Sequence, residues 1–157
     1  MDLTKLNKIH EVNEKFAYAL VEPGVSFYHL YNYIKERNLK LWVTTPALGW
    51  GSIIGNSLDR GWGYTPYGDN CSHICGMEVV LADGTLLRTG MGQLEGAKVW
   101  QNFKNGYGPG FDGLFNQSNF GIVVKMVRTT LSISNCKGHL VVSCSRRIHG
   151  LSFGCTT

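Results

Sequence analysis

The sequence predicts an α+β fold, a small α/β part followed by a largely antiparallel sheet with helices. Three observations carry that expectation: a strand, turn, helix, strand order over the first 43 residues, a hairpin signal at Asp83-Gly84, and an apolar run at 120–126 that reads as a further strand. The whole chain is 157 residues, a length suited to one domain or to part of a larger protein.

Residues 6–12 and 17–21 read as two short strands, the second stopped by Glu22-Pro23-Gly24. Ser26 is placed to cap a helix, because Phe27, Leu30, Tyr31 and Ile34 then recur at helical spacing before a polar end at 35–38. Residues 39–43 return as a strand, which makes the first quarter a right-handed crossover unit in miniature. Glycine punctuation follows, with a helix start at 51–59 closed by Arg60-Gly61. Residues 76–82 and 85–88 flank Asp83-Gly84, whose backbone freedom supplies the positive φ of a tight primed turn. A short helix is expected at 98–103, then the strand at 120–126. Edge strands starting at Leu131 and Leu140 are the remaining candidates.

Composition bounds the function. With 43% hydrophobic and 17% charged residues the chain can build a core, and it holds no run of about 18 apolar residues to cross a bilayer and no apolar stretch near Met1. A cytoplasmic location, with no membrane partner, is the expectation. The formal charge of +4 suggests nucleic acid until it is located: Arg128, Lys137, Arg146 and Arg147 lie among residues 127–157, which contain no acid, and the remaining eleven bases balance eleven acids. No aromatic platform or motif accompanies those bases, so no nucleic-acid partner is expected. The same segment holds Cys136, Cys144 and Cys155, which leaves Cys71 and Cys75 in the body; that is no disulfide framework, and the thiols read as reduced. Residues 1–126 are therefore taken as one unit and 127–157 as an atypical basic tail, foreign in composition.

Seven of the 20 glycines fall between Gly49 and Gly76. Gly49, Gly51 and Gly55 come close to a dinucleotide fingerprint, but the spacing is one residue too long and no acid follows a second strand about twenty residues on. Cys71, His73 and Cys75 offer three soft ligands where a structural zinc site takes four, so no metal is expected, and with the segment extended His73 is not expected to serve a Cys nucleophile as its base. Trp50, Trp62, Tyr64 and Tyr67 fit two accounts equally, the wall of a flat ligand's site or plain core.

An ordered set of blocks decides among these readings. Val21-Glu22-Pro23-Gly24, Leu30-Tyr31-Asn32-Tyr33, Gly51-Ser52-Ile53-Ile54-Gly55-Asn56, Asp59-Arg60-Gly61, Gly63-Tyr64-Thr65-Pro66-Tyr67-Gly68-Asp69 and Gly76-Met77-Glu78-Val79-Val80-Leu81-Ala82 come first. Arg88-Thr89-Gly90-Met91-Gly92, Gly106-Tyr107-Gly108-Pro109, Asp112-Gly113-Leu114-Phe115 and Asn119-Phe120-Gly121-Ile122-Val123 follow. From residue 3 to residue 126 the chain resembles the FAD-binding (PCMH-type) domain of the vanillyl-alcohol oxidase / 4-cresol dehydrogenase family.

The resemblance implies two α+β subdomains clasping FAD, a separate cap that holds a para-substituted phenol, and hydride transfer from the benzylic carbon to flavin N5. It places Gly51, Ser52, Gly55 and Asn56 along the ribityl and pyrophosphate side of the flavin, Pro46 in the turn beside the ring, and Tyr67, Gly68 and Asp69 following the ring. Gly76, Glu78, Gly121, Ile122 and Val123 would support the nucleotide half. The aspartate that the family's oxidases carry in the Pro46 turn is Ala47 here, as its cresol dehydrogenases also lack it. The family's pyrophosphate loop, flavin-anchoring residue and phenolate-binding Tyr and Arg fall outside this sequence, so no catalytic residue is assigned. The strand at 121–126 would continue into an apolar segment, whereas here it meets Arg128. The expectation is thus a portion of the fold, truncated at both ends and without activity of its own. The alternative is a non-enzymatic remnant that binds no flavin. A peroxisomal address is possible for the family, though no targeting signal is seen.

Overall fold

The structure is a computed structural model and describes residues 1–132 except 66, 98 and 107. The acid-free segment 133–157, with the strand expected from Leu140, lies outside the described residues.

Strands β1 (Ile9–Asn13) and β2 (Tyr18–Val21) form an antiparallel pair, and helix α1 (Phe27–Glu36) follows the Glu22-Pro23-Gly24 turn. The Ser26 hydroxyl caps α1 by accepting the His29 amide at 3.1 Å, and Phe27, Leu30 and Ile34 form its buried stripe. Strand β3 (Leu41–Trp42) comes next, then helix α2 (Ile53–Leu58), capped by Ser52 in the same manner. The hairpin joins β4 (Ile74–Leu81) to β5 (Leu86–Arg88), and β6 (Gly121–Thr129) and β7 (Leu131–Ser132) complete the described elements. Five strands make one antiparallel sheet in the order β1-β2-β6-β4-β5, and β3 pairs with β7 in a separate two-stranded sheet. Few helices and a mostly antiparallel sheet agree with the expected α+β class.

Strand alternation, offset in β4 by a register shift between Ile74 and Gly76, sorts the sheet's two faces. Ala19, Val21, Met77, Val79 and Met126 pack with Phe27 and Leu30 of α1 and Ile53 of α2 in the main core, while Tyr18, Cys75 and Val127 cluster with Leu20 and Trp100.

Five local expectations change. The crossover unit is not made, because β3 leaves the β1–β2 sheet to pair antiparallel with β7. The β4–β5 turn is not primed: among its residues Gly84 alone has positive φ (84°), and Leu81 exchanges bonds with Thr85 and Gly84, which is a three-residue loop with the glycine in the left-handed position. No helix forms at 99–103; instead short 3₁₀ turns occupy Gly90–Gln93 and Asp112–Phe115. Cys71–His73 is a 3₁₀ turn rather than extended chain, and only Cys75 lies in the strand that follows. The last long strand also outruns its expected end at Met126: Val127 and Arg128 are buried within β6, so position 126/127, where composition changes, falls inside one continuous strand.

Candidate functional site: an apolar cleft and a two-loop floor

The starts of the two helices are joined. Ser26 and Ser52 form an antiparallel bridge, the Phe27 and Tyr28 amides donate to the carbonyls of Gly51 and Gly49, and the Ile53 amide donates to Val25. The Ser52 hydroxyl donates to the Pro23 carbonyl at 2.5 Å and accepts the Gly55 amide at 3.1 Å. Between Pro23-Gly24, the start of α2 and the start of β6 opens a cleft of about 580 Å³, with Trp50 at its wall. That volume lies within the range of small-molecule sites. Five residues assigned from the resemblance line it, namely Ser52, Gly55, Gly121, Ile122 and Val123. Its floor is bare at Gly55, which is exposed and where a Cβ would meet nothing nearer than the Ser52 side chain at 3.4 Å. Of the lining side chains only Asp2 is charged at neutral pH, and none is Cys, His or Tyr. The cleft can take a flat or apolar group noncovalently; it presents no acid–base pair.

A second group of the assigned residues sits on two loops. Pro46 is half-buried in the turn after Thr44, and the Thr45 carbonyl accepts the Tyr64 amide at 3.3 Å, joining that turn to the loop at 61–70. Within the loop Gly68 adopts φ 56°, and a Cβ there would lie 2.5 Å from the Trp62 ring, so this position requires glycine. Asp69 caps the following 3₁₀ turn, accepting from the Cys71 amide (2.9 Å), the Ser72 amide (3.2 Å) and the Ser72 hydroxyl. These donors, the hydroxyl first, hold its carboxyl below the usual range despite partial burial. Tyr67 stacks on His73 with centroids 4.2 Å apart. Trp50, Trp62 and Tyr64 are 77%, 71% and 81% exposed, which removes the plain-core reading for these three. Asn56 bridges the loop to α2, its Oδ1 accepting from Asn70 Nδ2 at 2.5 Å.

The rest of the assigned set stands elsewhere. Gly51 is exposed just ahead of α2, its carbonyl engaged by Phe27. Gly76 and Glu78 are in β4 and do not line the cleft. Glu78, 5% exposed, pairs with Arg88 Nε (3.0 Å) and Lys125 Nζ (2.9 Å), its direct partners on the two neighbouring strands. Burial pushes its carboxyl up, but the two cations outweigh that and hold it below the usual value. Cys75 is buried, and burial raises its thiol, so it stays protonated at neutral pH. Among the described residues no group of three or more His, Cys, Asp or Glu is arranged to hold a metal, and no helix is long and apolar enough to cross a membrane.

Two residues of this region escaped the sequence reading. Asn70, 1% exposed, links Asn56 to Arg128, and Arg128, 2% exposed, donates Nη2 to the Asn70 side chain at 2.6 Å and to the Thr44 carbonyl at 3.2 Å. Burial lowers the guanidinium's pKa to about 10. The available signal was a base inside an apolar strand, hidden by assigning Arg128 to the tail.

Comparison with known proteins places this geometry. Residues 1–90 match the family model described as FAD binding domain. Over 127 residues, 80% of this chain, the sequence is 51% identical to the 4-cresol dehydrogenase [hydroxylating] flavoprotein subunit of Pseudomonas putida and 40% identical to 1'-carboxy-chondrochloren decarboxylase of Chondromyces crocatus. It covers 24% of each of those proteins, so the chain spans about a quarter of the length of these relatives. The structure of p-cresol methylhydroxylase with substrate bound superposes on 84% of the chain with a TM-score of 0.82 at 49% identity, covering 26% of that protein. The isoeugenol complex of 4-ethylphenol oxidase from Gulosibacter chungangensis superposes on 83% with a TM-score of 0.81 at 48% identity, covering 25% of that protein. A match over more than half of the chain, a shared sheet and helix arrangement and half-identical sequence lead to one conclusion: the chain belongs to the FAD-binding domain family.

Proposed function

We propose that this chain is the FAD-binding portion of a flavin-dependent oxidoreductase acting on para-substituted phenols, and that it contributes binding surface rather than catalytic groups. Bound FAD would supply the acceptor for a hydride from the benzylic carbon. The observation that carries the reading is the meeting of Ser52, Gly55, Gly121, Ile122 and Val123 on one cleft in a chain of this family. Support for the substrate class comes from the relatives, whose names specify 4-cresol, p-cresol and 4-ethylphenol.

The cofactor fits in kind. The cleft has an apolar wall, a floor left bare at Gly55 and the hydroxyl of Ser52, and these offer van der Waals contact along a long, flat molecule. Gly121, Ile122 and Val123 act through backbone and packing, while Pro46, Tyr67, Gly68 and Asp69 shape the adjoining loops. Polar recognition is thin, because the amides of Ile53, Gly55 and Asn56 at the start of α2 already have partners within the chain. Binding should therefore be noncovalent and weak, with Kd above ~1 μM. Residues 1–126 form the flavin-binding unit in this reading, and the end of β6 continues that unit past residue 126.

Quenching of flavin fluorescence on titration with the chain tests the proposal. Saturable binding in the micromolar range or weaker is the expected result. No saturable binding would refute the flavin reading and leave a non-enzymatic remnant, and a submicromolar Kd would refute the argument from occupied amides.

A further inference from the structure

Arg128 is a buried charge with unusual company. Its Nη2 holds two neutral acceptors, the Thr44 carbonyl and the Asn70 side chain; its Nη1 is buried without a partner among the described residues; and the Phe27 ring lies 5.2 Å from the guanidinium carbon. Among the described residues, the ion pairs use Glu22 and Glu78, and neither pairs with Arg128. A guanidinium taken from water without a carboxylate has those two dipoles and the Phe27 ring to compensate it, so each dipole is held by a charge-assisted bond in a low-dielectric setting.

Those acceptors belong to the two loops that carry the second group of assigned residues. Thr44 begins the turn that carries Pro46, and Asn70 ends the loop that carries Tyr67, Gly68 and Asp69 and passes the bond on to Asn56 of α2. The Tyr64 amide, donating to the Thr45 carbonyl, links the two segments through the backbone, and the Asn70 amide, donating to the Gly61 carbonyl, closes the 61–70 loop on itself. We propose that Arg128 is a positioning residue for the flavin-facing loops: from the end of β6 it locks the 44–49 turn, the 61–70 loop and α2 into one arrangement, so that the cofactor meets a preformed floor. This rests on the flavin reading above for its ligand, though not for its geometry.

Amide hydrogen exchange and FAD titration on the full chain test it together, using Arg128→Met, Arg128→Lys and Asn70→Ala. In Arg128→Met the Tyr64 and Asn70 amides should exchange at least tenfold faster relative to the Val123 and Val79 amides of the central strands, and FAD affinity should fall by about the same factor. Arg128→Lys, which keeps the charge and one donor direction, should restore part of both. Asn70→Ala leaves the charge in place and cuts the relay, so it should loosen the same loop amides and keep the proposal testable if the Met variant fails to fold. Combined with Arg128→Met it should add little. Uniform acceleration across the sheet, or loops unchanged in every variant, would overturn the positioning role. Loosened loops with FAD affinity unchanged would overturn its link to the cofactor. If the unaltered chain fails to bind FAD while its loops respond as stated, the flavin reading fails and the positioning role stands.

Discussion

Replacing Glu78 by Gln isolates one buried charge and its effect on the sheet. The carboxylate lies directly opposite Arg88 on β5 and Lys125 on β6, at 3.0 and 2.9 Å, with 5% exposure of its own. Each cross-strand charge pair contributes roughly 0.2–1 kcal/mol, and removing the partner of a buried ion costs more than the pair itself gained. The Arg88 and Lys125 side chains remain 55% and 33% exposed, however, and regain water when released, which discounts the penalty. Glu78→Gln should therefore destabilise the chain at pH 7 by about 1–2 kcal/mol, lowering Tm by about 3–8 °C. Acid supplies the decisive control. The folded carboxyl titrates below its unfolded value, so its contribution is present above the unfolded pKa of about 4.3 and is lost as pH falls through the lower folded pKa. Urea unfolding of both proteins between pH 7 and pH 3 should show the gap closing on the acid side. A gap absent at neutral pH, or one that widens on acidification, would refute the assignment of a net favourable triad.

Gly55→Ala should leave the chain as stable or stabilise it by up to about 1 kcal/mol, because the residue is exposed in α2 and a Cβ meets only ordinary contacts, whereas Gly55→Leu should fill the cleft and weaken FAD binding; thermal melts and flavin titration of the two variants separate the effects. Tyr18 should ionise near pH 12, since burial first and then the hydrogen bond to Glu11 hold its hydroxyl protonated. Its folded pKa exceeds the unfolded one, so the stability it contributes is complete below pH 10 and is lost between pH 10 and 12; ultraviolet titration of Glu11→Gln should bring its pKa down, though not to 10, and an unmoved midpoint would contradict the Glu11 contribution.

Where a local signal met no opposition, the sequence was legible. Ser26 and the stripe Phe27, Leu30, Ile34 specify α1 within ten residues, and the Asp83-Gly84 hairpin follows from neighbours in the chain. Partners far along the chain were not visible. Strand β3 reads as a returning crossover until β7 is seen to take both of its residues. The segment after Lys98 has apolar residues at helical spacing, yet the Trp100 ring is drawn against the positions of Gly76 and Gly92, a tertiary contact that no local pattern announces. The site divides in the same way: the cleft residues were found through resemblance to a family, whereas Arg128 was missed because its burial is decided by Thr44 and Asn70, both distant in sequence.

Strand β6 lies between β2 and β4 although, among the described residues, it is the last long strand in the chain. Until it emerges from the ribosome, the nascent chain has two separate hairpins, β1–β2 and β4–β5, each marginal by itself. Joining them requires closing the long loop that pairs Tyr18 with Thr129, and that one event covers the open edges of both hairpins at once. Assembly is thereby deferred until β6 has been made and becomes close to all-or-none, with one sticky edge of each hairpin waiting in the meantime. The stretch 1–90, which by itself carries the family match, contains both hairpins and lacks the strand that joins them. An expression product ending there would be recognisable by sequence and unable to close its sheet.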